Sequence, residues 1–446
     1  MLKPGKIIKG TATSYSNEGE GVIHLNKEVI FVKGLLINEN ADIEIKYNRA
    51  GINYGIIKKL YNLSKDRIPS KCKVSTACGG CVFQCLNYLK QLEYKTNKVK
   101  DAFKYIAKLD INVKTCIGMD NPYYYRNKAQ VPIKKINRKI VSGFYKPQSH
   151  NLVAIDECCI EDKRSNKIIN SIKKIMSDFN IEPYEEDTRK GIIRHILVRT
   201  STHYKEIMVV LVTNCDHFPS QNNFVNAIKK DNPEITTIIQ NINKRATNVI
   251  LGEQERILFG RGFITDELCK NKYRISSKSF FQINPIQTEK LYNFIANKLD
   301  LKQSDVLLDA YSGVGTIGIT LANKVNKVLS VELERSAVKD GIKNAKENNI
   351  RNIEFINEDA TKFINEYDKK INVVVMDPPR KGSTPEFLNA LKRLNPNSII
   401  YVSCDPNTLA RDAKYLIAKY NIELVQPFDM FPQTYHVETV VLFKRK

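Results

Sequence analysis

Apolar positions change their period along the chain. Up to about residue 61 they fall in short β-rich runs: G-E-G-V-I-H-L, V-I-F-V-K-G, D-I-E-I-K-Y and Y-G-I-I-K-K-L, separated by Gly, Asn and Glu turns. Residues 1–61 therefore read as a small all-β module, sized for a five-stranded barrel. From Leu86 to Ile106 the apolar positions recur at helical spacing among Lys, Glu and Gln, predicting a long amphipathic helix. Between 120 and 265, K-A-Q-V-P-I, K-I-V-S-G-F-Y, H-I-L-V-R-T and E-I-M-V-V-L-V-T read as strands, with a helix over Ile168 to Phe179. From about 273, V-L-L-D-A, K-V-L-S-V-E, I-E-F-I-N-E-D, I-N-V-V-V-M-D and S-I-I-Y-V-S follow at βαβ intervals, the pattern of a doubly wound, largely parallel sheet. E-T-V-V-L-F closes the chain as a last strand, expected antiparallel. The expected division is a β-barrel over 1–61, an α+β domain over 62–270 and a Rossmann-like α/β domain over 271–446, with helix 86–106 packed on the last.

Length and charge narrow the class. A chain of 446 residues exceeds one ordinary core. The formal net charge of +22 favours a polyanionic partner, above all nucleic acid. The chain holds no uninterrupted apolar run of membrane-spanning length, and its N-terminus lacks the run of a signal peptide. A cytoplasmic monomer without a membrane partner is expected. Ten cysteines without an export signal argue against a disulfide scaffold.

Chemistry concentrates after the strand-like runs. Leu307, Leu308 and Asp309 lead into Tyr311, Ser312, Gly313, Val314 and Gly315. Counted from Gly313, the spacing is G-x-G-x-x-G, which suits a nucleoside or a dinucleotide equally. Glu332, ending the second strand, is placed to accept from ribose hydroxyls, and Asp359, after the third, to meet an adenine amino group. Asp377 opens D-P-P-R, and Cys404 follows a hydrophobic strand. This ordered set says far more than the glycine loop alone.

F-Q-I-N-P (Phe281–Pro285), D-P-P-R (Asp377–Arg380), S-C-D-P-N-T-L-A-R-D (Ser403–Asp412) and H-V-E-T-V (His436–Val440) resemble the S-adenosylmethionine-dependent RNA uracil-C5 methyltransferases. The nearest likeness is to the iron–sulfur bacterial group acting on 23S ribosomal RNA, and it spans essentially the whole chain, with a TRAM-type barrel at the N-terminus. The resemblance implies that Cys404 is the nucleophile and Glu438 the base that removes the C5 proton. It implies that Gln282, Tyr311, Glu332 and Asp377 line the cofactor and base pocket, with Asp377 also orienting the uracil. Two departures stand out: D-A-Y-S-G replaces the usual D-L-Y-C-G, and S-C-D-P replaces S-C-N-P.

The chemistry fits those groups. Uracil C5 attacks a methyl sulfonium poorly until a thiolate adds at C6, and a carboxylate must then take the C5 proton. The base must leave its stack, which unpaired loop RNA makes cheap. Phe281 is a candidate stacking residue, and Arg380 a candidate phosphate contact.

Cys72, Cys78 and Cys81 form C-x5-C-x2-C, and Cys158 or Cys159 offers a fourth soft ligand, a set that suits zinc or iron–sulfur equally. The resemblance selects a [4Fe–4S] cluster on Cys72, Cys78, Cys81 and, from the distance to Ser149 and His150, Cys158. Cys85 reads as a helix-face or core residue. Three other readings stand beside 23S rRNA methylation: a T-loop uracil methylase of transfer RNA, an idle RNA-binding or assembly protein, and an amino-group methylase. Intact Cys404 and Glu438 weigh against the last two.

Overall fold

The computed structural model describes residues 1–446 except 147, 148 and 150, so His150, used above to place Cys158, lies outside the described residues. The N-terminal sheet has six strands, ordered Ile7–Thr11, Asn40–Arg49, Ile52–Leu60, Glu28–Val32, Gly21–Leu25 and Ser14–Tyr15. Ile7–Thr11 and the two-residue Ser14–Tyr15 lie outside the four runs read as strands, the second being too short to give a period. Alternation turns Ala41, Ile43 and Ile45 inward. Gly10 of the first strand abuts Ile23, where a Cβ would come within 2.6 Å, so the curled sheet closes on itself around one core.

The central sheet has seven strands in the order Gln254–Phe259, Thr237–Ile242, Ile207–Thr213, Ile193–Thr200, Lys128–Ile136, Lys139–Tyr145, Leu152–Ala154. Only Ile207–Thr213 and Thr237–Ile242 run parallel. Ile207–Thr213 is buried throughout because both its faces are covered. Val209 and Leu211 pack under helices Lys163–Asp178 and Gln221–Asp231, while Met208 and Val210 join the core of the C-terminal sheet.

That C-terminal sheet is ordered Ile353–Asn357, Lys327–Glu332, Val306–Ala310, Val373–Met376, Ser398–Ser403, Glu438–Arg445, Tyr420–Phe428. The first five are parallel and the last two form an antiparallel hairpin. Leu307, Val375 and Ile400 face one core, and Leu308, Val374 and Ile399 the other. Helix Tyr88–Ala102, continued by a wider turn over Phe103–Ala107, buries Val99, Ala102 and Phe103 in the second core. Val113 and Ile117 then bridge to Val425 and Phe428 at the sheet's edge. No helix among the described residues is long and apolar enough to cross a membrane.

Candidate active site

Parallel strands all end on the same edge of their sheet, so the turns leaving them gather there. Tyr311, Glu332, Asp377 and Cys404 all stand on that edge, at or just beyond four strand ends. Glu438 arrives from the opposite direction, as the first residue of an antiparallel strand. Ser403 pairs with Thr439, so the same register puts Cys404 opposite Glu438.

The turn after Val306–Ala310 is built around a buried carboxylate. Asp309 Oδ2 accepts from the Gly318 N–H (2.8 Å) and the Ser330 hydroxyl (3.4 Å). Burial pushes the Asp309 carboxyl up to about 7, opposed mainly by the Gly318 N–H. Tyr311, Gly313 and Gly315 all take positive φ, +60°, +56° and +76°. A Cβ on Gly315 would come within 2.6 Å of Phe355, so only glycine fits there. Glu332 accepts from the Gly313 N–H at 2.9 Å, tying the second strand end to the turn. Asp359 is exposed and caps helix Ala360–Glu366, accepting from Thr361 and Lys362 N–H.

This turn forms a wall of a recess of about 450 Å³, also lined by Phe280, Phe281, Gln282, Tyr292 and Asp377. The Ser312 hydroxyl is buried at that wall without a protein partner. An orphaned donor beside bare backbone and a ring of aromatics fits a nucleoside-bearing methyl donor. Gln282 is held by its carbonyl, which accepts from Asn127 Nδ2 at 3.2 Å. Phe281 is buried and packs on Tyr273, with ring centres 6.0 Å apart. Its neighbour Phe280 is 66% exposed at the same recess. Sequence reading passed over Phe280, because two adjacent phenylalanines give no period to tell them apart.

Around the thiol, charge is mostly negative. Burial, then Glu438 and Asp377, push Cys404 up to about 11, while the Arg380 guanidinium pulls it down. Burial and Asp377 hold the Glu438 carboxyl well above its usual range, again opposed by Arg380. Glu438 keeps a sliver of surface, but protein surrounds it closely enough for burial to dominate. Burial raises Asp377 to about 7. Arg380 is exposed, and its carbonyl accepts from the Thr408 hydroxyl at 3.1 Å. The loop it sits on is clamped from below: Asp412 accepts from the Ser383 N–H (2.8 Å) and the Tyr401 hydroxyl (2.7 Å), and Arg411 donates to the Lys381 carbonyl (2.9 Å). The R-D closing the Cys404 motif thus braces the D-P-P-R loop, a role its spacing alone did not reveal.

The cysteine expectation is not met as a ligand set. Among the described residues no group of three or more His, Cys, Asp or Glu side chains is placed to hold a metal ion. Cys72, Cys81 and Cys158 share one small cluster with buried Cys159 and Ile160. Their polar contacts are spent on protein: a hydrogen bond with Cys159 lowers the Cys72 thiol to about 6, Gln84 donates to Cys159 Sγ at 3.3 Å, and Gly80 N–H donates to Cys78 Sγ at 3.3 Å. Cys85 is half-buried and packs beside Phe83 and Leu86, as a core cysteine does.

Comparison with known proteins decides the family. Residues 87–446 match the model described as tRNA (Uracil-5-)-methyltransferase. The chain belongs to that family. This uracil-5-methyltransferase is 42% identical to an uncharacterized RNA methyltransferase of Clostridium tetani, over 96% of this chain and 94% of the relative. It is 39% identical to one of Caldanaerobacter subterraneus, over 100% and 99%. It also resembles a Pyrococcus abyssi tRNA (uracil-54, C5)-methyltransferase, whose crystal structure is a complex with S-adenosyl-L-homocysteine. There the TM-score is 0.79 at 27% identity, covering 98% of this chain and 100% of that one. The protein is an S-adenosylmethionine-dependent RNA uracil-C5 methyltransferase.

Proposed function

We propose that Cys404 and Glu438 carry the reaction, and that the substrate is a loop uridine of transfer RNA. S-adenosylmethionine supplies the electrophilic methyl group, against the turn at Tyr311, Gly313 and Gly315, with Gln282, Glu332 and Asp359 as further contacts. The Cys404 thiolate adds to C6 of the flipped base, and the C5=C6 electrons move toward O4. Asp377 holds the uracil while C5 takes the methyl, whose bond to sulfur breaks to leave S-adenosylhomocysteine. Glu438 then removes the C5 proton, those electrons restore C5=C6, and the C6–S bond breaks to free the thiolate. The observation carrying this reading is the register that sets Cys404 opposite Glu438 at the edge where Asp377 also stands. A thiol alone could be structural; a thiol facing a carboxylate across a strand pair is a pair of reagents.

The transfer RNA substrate rests on the full-length likeness to the Pyrococcus abyssi enzyme. A second reading, a 23S rRNA uridine with a [4Fe–4S] cluster on Cys72, Cys78, Cys81 and Cys158, rests on the gathering of those thiols and Cys159 in one neighbourhood. The N-terminal barrel and the charge of +22 suit either RNA. Mapping 5-methyluridine in both RNAs, from cells with and without the gene, separates the two. Loss only from 23S rRNA overturns the transfer RNA reading, and Cys404→Ala that keeps product overturns the mechanism. Iron and sulfide analysis of anaerobically purified protein tests the cluster.

A further inference from the structure

Glu438 is the first residue after a loop, and a loop by itself holds a side chain poorly. The loop 429–437 joins the two strands of the terminal hairpin. Its carbonyls at Met430, Pro432 and Gln433 accept from Asn284, Tyr125, Val82 and Phe83, and its buried charge is held by helix Tyr88–Ala102. Lys95 pairs with Asp429, and both side chains are 0% exposed. Lys95 Nζ also donates to the Phe431 carbonyl at 3.1 Å, and the Tyr88 hydroxyl donates to Asp429 at 2.8 Å. One turn away, Gln91 meets Gln433 twice: its Oε1 accepts from the Gln433 N–H (3.0 Å) and its Nε2 donates to Gln433 Oε1 (3.1 Å).

A fully buried ion pair contributes little stability over apolar residues of the same size, because both charges lose their hydration. What it does impose is geometry: the charges are satisfied in one arrangement only. Here that arrangement fixes the first and third residues of the loop, Asp429 and Phe431, nine and seven positions before Glu438.

We propose that Lys95 and Asp429 are positioning residues for the proton-removal step. The inference rests on the reading of Glu438 as the base. When the loop shifts, the Cys404 thiolate still adds to C6 and C5 still takes the methyl, since neither step needs the Glu438 carboxylate. The C5 proton then stays, the C5=C6 bond cannot re-form, and the C6–S bond does not break. The methylated RNA remains on Cys404.

The test replaces both charges at once. Full-length wild type, K95M/D429L and the control E438Q are given total RNA from cells lacking the gene and labelled S-adenosylmethionine, then run on denaturing gels. The double variant should bind S-adenosylhomocysteine and melt as wild type does. It should form a labelled protein–RNA band and release 5-methyluridine about 100-fold more slowly. A double variant that unfolds, or that slows methyl transfer and release equally with no band, overturns the proposal. If E438Q also forms no band, the base reading itself has failed; if only E438Q forms one, the base reading stands and the positioning role falls.

Discussion

Cys404 directly follows strand Ser398–Ser403 and Glu438 opens the antiparallel strand beside it, both one step beyond the Ser403–Thr439 pair. After burial, Glu438 is the chief charged neighbour raising the thiol. Both groups are protonated more readily than usual, yet both must be ionised to act, one as nucleophile and the other as base. The consequence is a pH dependence of known sign.

Below its raised value of about 11, the Cys404 thiolate fraction grows as pH rises, and the raised Glu438 carboxyl ionises in the same direction. Turnover at saturating RNA should therefore climb with pH between about 7 and 9. Arg380 is the cation that opposes both shifts. Arg380→Ala should push the profile to higher pH, so that the variant is slowest relative to wild type on the acid side. A kcat profile merely scaled down at every pH would show that Arg380 acts only through RNA binding.

The two glycines of the cofactor turn should fail differently. Gly315 combines φ +76° with a Cβ position 2.6 Å from Phe355, whereas Gly313, at φ +56°, faces open space. Gly315→Ala should cost about 2 kcal/mol of stability through strain and a forced shift of Phe355. Gly313→Ala should cost about 1 kcal/mol, with its larger effect on affinity for S-adenosylhomocysteine. Thermal melts beside calorimetric titration distinguish them, and equal losses of stability would count against the geometry of the turn.

The sequence was most legible where periodicity and motif coincide. Four of the five parallel strands carry several buried apolar residues, and each of the five ends on or runs directly into a polar residue, so fold and strand-end chemistry could be read together. Strand Tyr420–Phe428 was not foreseen, because Asn421, Glu423 and Gln426 break its apolar run and its bulge near Ile422–Leu424 shifts the alternation. Contacts across hundreds of residues were equally hidden. Nothing local to Lys95 announces Asp429, which lies 334 positions away. The cysteines were legible as a group that gathers in one neighbourhood, while their bonds to Gln84, Gly80 and each other were not.

Asp412 offers a test of support without contact with the reacting atoms. It is 1% exposed and holds the Ser383 N–H, the Tyr401 hydroxyl and the Arg411 guanidinium. Asp412→Ala should lose roughly 2–3 kcal/mol, since it strands buried donors and removes a charged acceptor. Because those bonds shape the loop from Asp377 to Ser383, kcat should fall in a sample still folded at the assay temperature. Unchanged kcat at full folding would confine Asp412 to stability.

Phe280 and Phe281 are adjacent in sequence and opposite in environment, 66% against 4% exposed. Phe281 packs on Tyr273 in the core beneath the recess. Phe281→Ala should cost roughly 3–5 kcal/mol, the usual result of emptying a buried aromatic site. Phe280→Ala removes a ring already in water and should change stability by no more than about 0.5 kcal/mol. An exposed aromatic at the mouth of a base-binding site is suited to stacking on a nucleotide, worth about 1–3 kcal/mol per base. Phe280→Ala should accordingly raise KM for RNA about tenfold or more while leaving affinity for S-adenosylhomocysteine near wild type. The decisive comparison is Phe280→Tyr, which keeps the stacking face. Recovery of KM in that variant identifies a stacking role, whereas a KM equally poor in both variants assigns the ring's effect to its fit beside Gln282 instead.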